Sequence, residues 1–300
     1  MPSHLSTTVQ VTMDRLIVHN QKIVPREEAR LSPGQAGLLL GWGIFTTLRL
    51  YQGAPFEFER HWDRMERDRR RLNVSASVEA SNVRRLVLEL ARANRRHEGM
   101  ARVILVRNTG GLWVGAPDHP PTDLLIFTSE LPSWPPSYRL KVQPGAIFAR
   151  GPFAGAKMLS WAANSTFMES AHAEGYDDAL LLNERDEVAE CTSANIFVVS
   201  SGQILTPPLS SGCLPGVTRE VLLEIAPAAG FPVVERPLVL ESLDEAEEVF
   251  LSSTTREVGG VREIGGRRQF KAPGRITSAL EETFRDYVRR TCQDAAGSRA

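Results

Sequence analysis

The stretch LPSWPPSY, residues 131 to 138, sets the strongest limit on how this chain can fold. Three of its eight residues are proline. Proline lacks a backbone donor and has a fixed φ, so neither a helix interior nor a central strand can run through it. The stretch has no hydrophobic period either. The chain is therefore expected to divide here, into a domain over residues 1–130, a linker over 131–138 and a second domain over 139–300. A length of 300 residues suits two domains of ordinary size.

Both parts mix strands and helices. DRLIVHNQKIVP predicts two short strands about a turn at Asn20-Gln21, and GIFTTLRLYQGAPFEF a hairpin turning near Gly53. Residues 57–73 and 78–96 have a helical period and much charge. ARVILVRN and TDLLIFTSE read as strands. Beyond the linker, YRLKVQP is a strand, and a helix follows Lys157 and ends near Gly175. The run from Asp177 to Pro208 predicts strands joined by polar turns. LPGVTREVLLEIA starts a helix whose Val217, Val221, Leu222 and Ile225 share one face. EEVFLSSTTREVGGV is a strand running into a hydroxyl-rich turn, and a last helix spans about 274–290. The fold class expected is α/β in the mixed, α+β sense.

Composition removes several functions. The net charge of −1 implies no bulk attraction to nucleic acid or to an anionic membrane. The longest apolar stretches, such as AGLLLGWG, are too short to span a bilayer. The start MPSHLSTTVQVT has no basic region followed by an apolar run, so it does not read as a signal peptide. Cys191, Cys213 and Cys292 are odd in number and show no metal-ligand spacing. They imply no metal and a reducing compartment, and the expected location is cytoplasmic.

The chain carries 35 lysines and arginines, of which only Lys22, Lys141, Lys157 and Lys271 are lysine. Arginine stays protonated, whereas a desolvated lysine can lose its proton and attack a carbonyl. Lys157 stands in GPFAGAKMLS. A P-loop fails there, because alanine precedes the lysine and methionine follows it, which removes the magnesium-binding hydroxyl. A Schiff-base lysine needs three other parts: a carboxylate on the ring nitrogen of an electron-sink cofactor, a helix N-terminus with hydroxyls for a phosphate, and a guanidinium on that phosphate. Each has a candidate, and each candidate has a plainer reading. Glu190 in EVAECTSANIF could be a solvated carboxylate. Pro215-Gly216 could begin an ordinary helix, and Ser252–Thr255 could be a plain turn. Arg64 shares a stripe with Arg60, Arg67 and Arg71, most of which must face solvent.

Taken in order, Arg64, Lys157, E-x-x-x-x-N-[IV]-F, LPGVTR and SSTTxE resemble the fold-type IV pyridoxal-phosphate enzymes. These include branched-chain aminotransferases, D-amino acid aminotransferases and aminodeoxychorismate lyases. The resemblance runs from about residue 15 to about 290. It implies a two-domain fold, with a small N-terminal α/β domain and a C-terminal barrel-like mixed sheet with helices, in a homodimer. It implies pyridoxal 5'-phosphate as cofactor, in a Schiff base with Lys157. Glu190 would face the pyridine nitrogen. Arg64, the backbone N–H groups of Val217 and Thr218, and Ser253 with Thr254 would hold the phosphate. Trp161 would lie beside the ring.

The substrate side matches less closely. Arg102 aligns with a carboxylate-binding arginine of the branched-chain enzymes, and strand alternation puts Arg107 on the opposite face. Trp42 and Thr46, in GWGIFTT, stand where most members carry acids, and the FTT form resembles some lyases. RNTGG also resembles a lyase loop, although LWVG follows where that loop has a second arginine. The function implied is amino transfer between an amino acid and a 2-keto acid, with Arg102 and Thr46 toward the substrate. The alternative is aminodeoxychorismate lyase chemistry, which releases pyruvate and 4-aminobenzoate.

Overall fold

The computed structural model describes residues 11–31, 34–76, 78–110 and 120–297. The first ten residues and the loop 111–119, on which the readings of the N-terminus and of LWVG fall, lie outside them. The chain forms two compact units. Val11–Pro132 and Ala156–Trp161 belong to one, together with residues 292–297, and Ser133–Gly155 with Ala162–Thr291 form the other. The six residues around Lys157 thus group with the N-terminal unit.

In the N-terminal unit, β1 (Met13–His19) and β2 (Lys22–Pro25) form a hairpin. Both turn residues, Asn20 and Gln21, have positive φ, as the mirror-image turn of a tight hairpin requires. A short helix α1 (Ala36–Leu40) precedes β3 (Gly43–Tyr51) and β4 (Ala54–Pro55). Two helices follow, α2 (Phe58–Arg71) and α3 (Ala80–Ala93), then β5 (Gly99–Arg107) and β6 (Thr122–Ser129). The sheet order is β2-β1-β6-β5-β3-β4, antiparallel throughout. Phe58, Trp62 and Met65 of α2 and Val83, Leu86, Val87 and Leu90 of α3 lie in one apolar cluster with Ile44, Leu48, Val103 and Leu105 of the sheet. Each such fully buried side chain contributes about 1.5–3 kcal/mol.

In the C-terminal unit, β7 (Tyr138–Ile147) and β8 (Asp178–Asn183) pair in parallel and are connected through α4 (Ala162–Ala173). All six residues of β8 are buried, which explains its unbroken apolar run ALLL. Next come β9 (Val188–Cys191), β10 (Asn195–Ser200), β11 (Gln203–Thr206), α5 (Val217–Ala228), β12 (Val233–Glu235) and α6 (Leu240–Asp244). The unit ends with β13 (Glu248–Ser253), β14 (Glu257–Ile264), β15 (Arg268–Gln269) and α7 (Arg275–Gly297) as far as Thr291. The mixed sheet runs β12-β11-β10-β13-β14-β7-β8-β9, with β15 on β14. It curls: β9, at one end of this order, is followed directly by β10 within it, through a turn in which the Cys191 N–H donates to the Ala194 carbonyl at 2.8 Å. The mixed α/β class is the one expected from the sequence. The last helix runs past the expected end near 290, since TCQDAAG offers no breaker before its glycine. Among the described residues no helix is long and apolar enough to cross a membrane.

Candidate active site

The lysine segment is held as an extra short strand on β3. Phe45 N–H donates to the Lys157 carbonyl at 3.0 Å, and Leu159 N–H to the Gly43 carbonyl at 2.9 Å. The Lys157 N–H donates to Asp68 Oδ2 at 3.0 Å. Its Nζ lies 4.7 Å from the centre of the Phe45 ring and 4.8 Å from that of Trp161, two rings that meet edge to face. By contrast, Lys141 donates to Ser170 Oγ and pairs with Glu174, an ordinary surface arrangement.

Strand alternation divides the neighbouring residues. Thr46 points to the helix side of β3, beneath α2. Its Oγ1 accepts from Arg64 Nη2 at 2.9 Å and lies 2.8 Å from His61 Nδ1. Arg64 Nη2 also approaches that nitrogen to 3.4 Å, which makes Nδ1 the acceptor and directs the Thr46 hydroxyl proton to it. His61 is held well below the ordinary imidazole range, by burial first and then by the positive charges of Arg64 and Lys157. Arg64 is therefore the buried member of the arginine stripe, while Arg60, Arg67 and Arg71 keep their side chains partly in solvent.

Arg102 points the other way. It pairs in register with Thr47, donates to Thr47 Oγ1 at 3.2 Å and sits 4.9 Å from the centre of the Phe45 ring. The two residues expected at the substrate, Arg102 and Thr46, thus lie on opposite faces of the sheet. Arg102 has no acidic partner among the described residues, and burial lowers its pKa from the usual value. Arg107 is on the face opposite Arg102, stacked 3.8 Å from the Trp42 ring centre, and Trp42 Nε1 donates to the Leu72 carbonyl at 2.8 Å.

The C-terminal unit carries the other expected residues. Glu190 lies within β9 and pairs with Leu181. Its Oε2 accepts the Leu214 N–H at 3.0 Å, while Asn195 Nδ2 donates to the Leu214 carbonyl at 2.8 Å. The two side chains hold the loop that enters α5. Gly216 caps that helix without a side-chain bond, so the Val217 and Thr218 amides have no partner from within the helix. A Cβ at Gly216 would fall 2.1 Å from Asn195 Oδ1. Gly216→Ala is therefore expected to force Asn195 off Leu214, at about 1–3 kcal/mol for an overpacked site, measurable by urea unfolding. At the end of β13, Ser253 Oγ accepts the Arg256 N–H at 3.2 Å, and Thr254 opens the turn into β14. The neighbouring Ser252 Oγ is buried without a hydrogen-bond partner.

These donors suit a phosphorylated pyridine aldehyde. Within the C-terminal unit two helix-start amides and a pair of hydroxyls match a phosphate, and within the N-terminal unit a guanidinium does. A carboxylate matches a cationic ring nitrogen, and an amine set against aromatic rings matches an aldehyde. The buried Ser252 hydroxyl, which has no hydrogen-bond partner, fits such an occupant.

Comparison with known proteins gives the same direction. Residues 43–264 match the family described as Amino-transferase class IV. The chain belongs to this family. Its members depend on pyridoxal phosphate. The chain is 32% identical over 276 residues to a putative branched-chain-amino-acid aminotransferase of Methanocaldococcus jannaschii, covering 89% of this chain and 94% of that one. It is 28% identical over 290 residues to an aminodeoxychorismate lyase of Bacillus subtilis, covering 94% and 98%. Its fold resembles that of a branched-chain aminotransferase of Thermoproteus uzoniensis with a TM-score of 0.82, at 26% identity over 91% of this chain and 94% of that one.

His61 and Asp68 are not among the residues singled out in the sequence, and Asn195 stands there only as the asparagine of E-x-x-x-x-N-[IV]-F. Asp68 had a signal: it continues the buried register of α2, from Phe58 through Trp62 and Met65, where an apolar side chain is expected.

Proposed function

We propose that this class IV enzyme is an amino-acid aminotransferase that uses pyridoxal 5'-phosphate. One observation carries the reading: Arg102, a guanidinium without an acidic partner among the described residues, and Lys157 Nζ both rest against the Phe45 ring. A partly buried cation of this kind gains most from an anion brought by a ligand. A substrate carboxylate held there would present its α-carbon toward the lysine amine.

When bound, the cofactor supplies an electrophilic aldehyde and a ring that accepts electrons. The residues of the chain do the rest. Lys157 Nζ would hold the aldehyde, and its amine would carry the proton from the substrate α-carbon. Phe45 and Trp161 would keep water from that nitrogen. Glu190 would keep the ring nitrogen protonated. Arg64, the Val217 and Thr218 amides, and Ser253 with Thr254 would hold the phosphate. Thr46 Oγ1 is hydrogen-bonded to His61 and accepts from Arg64, so its part would be to fix the guanidinium rather than to touch substrate.

The reading includes a homodimer, supported by Leu38, Leu39 and Leu40, three consecutive leucines each at least half exposed. It also includes a reducing, cytoplasmic location, which three free thiols support. Amino transfer is tested by a half-reaction. The protein loaded with pyridoxal phosphate and given an amino acid, with no acceptor, is expected to yield one equivalent of keto acid per site. Pyruvate and 4-aminobenzoate from aminodeoxychorismate, with no keto acid in the half-reaction, would assign the lyase instead.

A further inference from the structure

We infer that Asp68 is a positioning residue for the reactive lysine. This rests on the reading of Lys157 above, and it concerns an interaction that no part of that reading uses. Asp68 is 1% exposed, on the inward face of α2 and one turn beyond Arg64. Oδ1 accepts from Arg67 Nε at 3.1 Å and Nη2 at 2.7 Å, with Arg71 Nη1 at 3.9 Å. Oδ2 is committed to the Lys157 N–H at 3.0 Å.

A buried carboxylate is costly unless both oxygens are used, and here the second is used on one backbone amide 89 residues away. The consequence is mechanical. The Lys157 peptide is fixed from both ends, its carbonyl by Phe45 N–H on β3 and its N–H by Asp68 on α2. With both held, the Cα of Lys157 can neither slide along β3 nor roll about it, so Nζ is aimed by the main chain before any ligand arrives. A charge-assisted bond is among the stronger hydrogen bonds, and a misplacement of about 1 Å can lower a reaction rate by about 10²-fold. The two arginines at Oδ1 are partly exposed, and by holding that oxygen they keep Oδ2 turned inward.

The test follows capture of an aldehyde by Lys157. The protein is mixed with pyridoxal phosphate, then quenched with borohydride at timed intervals. The Lys157 amine condenses with the aldehyde, water leaves, and hydride converts the product to a secondary amine that peptide mass locates. Asp68→Asn keeps an oxygen for the Lys157 N–H and is expected to label within about threefold of the wild-type rate. Asp68→Ala removes it and is expected to label about 10- to 100-fold more slowly, with the circular dichroism spectrum of the folded chain. Should the alanine variant not fold, Asp68→Glu replaces it: the extra methylene carries the carboxylate past the amide, and labelling is expected to slow about tenfold. Wild-type labelling rates in the alanine or glutamate variant, or an asparagine variant as slow as the alanine one, would overturn the tether. Labelling of wild-type protein at Lys22, Lys141 or Lys271 in place of Lys157 would instead overturn the reading of the lysine itself.

Discussion

Lys157→Ala is expected to lower turnover by roughly 10³-fold or more, the upper part of the range for a positioned proton carrier, and to abolish covalent capture of the cofactor. The fold should survive. Three main-chain hydrogen bonds that seat residue 157 do not depend on its side chain: the carbonyl to Phe45, the N–H to Asp68, and the flanking Leu159–Gly43 bond. What alanine removes is an amine above two aromatic rings, a contact of about 0.5–1 kcal/mol at an exposed site and about 2 when desolvated. Unfolding in urea should therefore move little while activity disappears. Lys157→Arg separates charge from chemistry. It keeps a cation over Phe45 and Trp161 but not a group that can lose its proton, so it should be as inactive as alanine. Activity in either variant, measured with the half-reaction, would remove Lys157 from the mechanism.

How much of this was legible in the sequence depends on the distance over which each feature is decided. Lys157 stood out because lysine is rare in a chain rich in arginine, a local contrast. The hairpin at Asn20-Gln21, the helix beginning after Gly216 and the helical period of 57–73 are likewise decided within a few residues. The grouping of Ala156–Trp161 with the N-terminal unit is not, because it is made by bonds such as Phe45 N–H to the Lys157 carbonyl, more than a hundred residues apart. The separation of Thr46 from Arg102 needed the β3–β5 register. Alternation fixes the faces within one strand, but only the pairing of Thr47 with Arg102 shows which residues share one. Asp68 looked like one more charge in ERDRRR until its place in the buried register of α2 gave it a partner.

The largest stability effect is expected at Arg256, in the C-terminal unit. Its side chain and that of Asp178 are both 0% exposed, with Nη2 2.8 Å from Oδ2. The guanidinium also lies 4.2 Å from the centre of the Trp134 ring and 5.2 Å from that of Tyr138. Tyr138 is itself pushed up to about 12, by burial first, with Arg256 opposing. Removing one partner of a buried pair strands the other charge, at about 3–5 kcal/mol. Arg256→Met should destabilise by that amount, because no other cation among the described residues is paired with Asp178. The other oxygen of Asp178 is already engaged: Oδ1 accepts the Ala179 N–H at 2.8 Å, the Thr192 N–H at 3.2 Å and the Thr192 hydroxyl at 2.5 Å. This predicts the rescue. Asp178→Asn combined with Arg256→Met keeps an oxygen for Thr192 and leaves no charge buried, so the double variant should recover most of the loss. Both changes are read by urea unfolding of the full chain. A single Arg256→Met variant that loses less than about 1 kcal/mol would show that the pair does not anchor the turn after β13. A double variant no more stable than the single would show that the loss comes from the vacated space beside Trp134 rather than from a stranded charge.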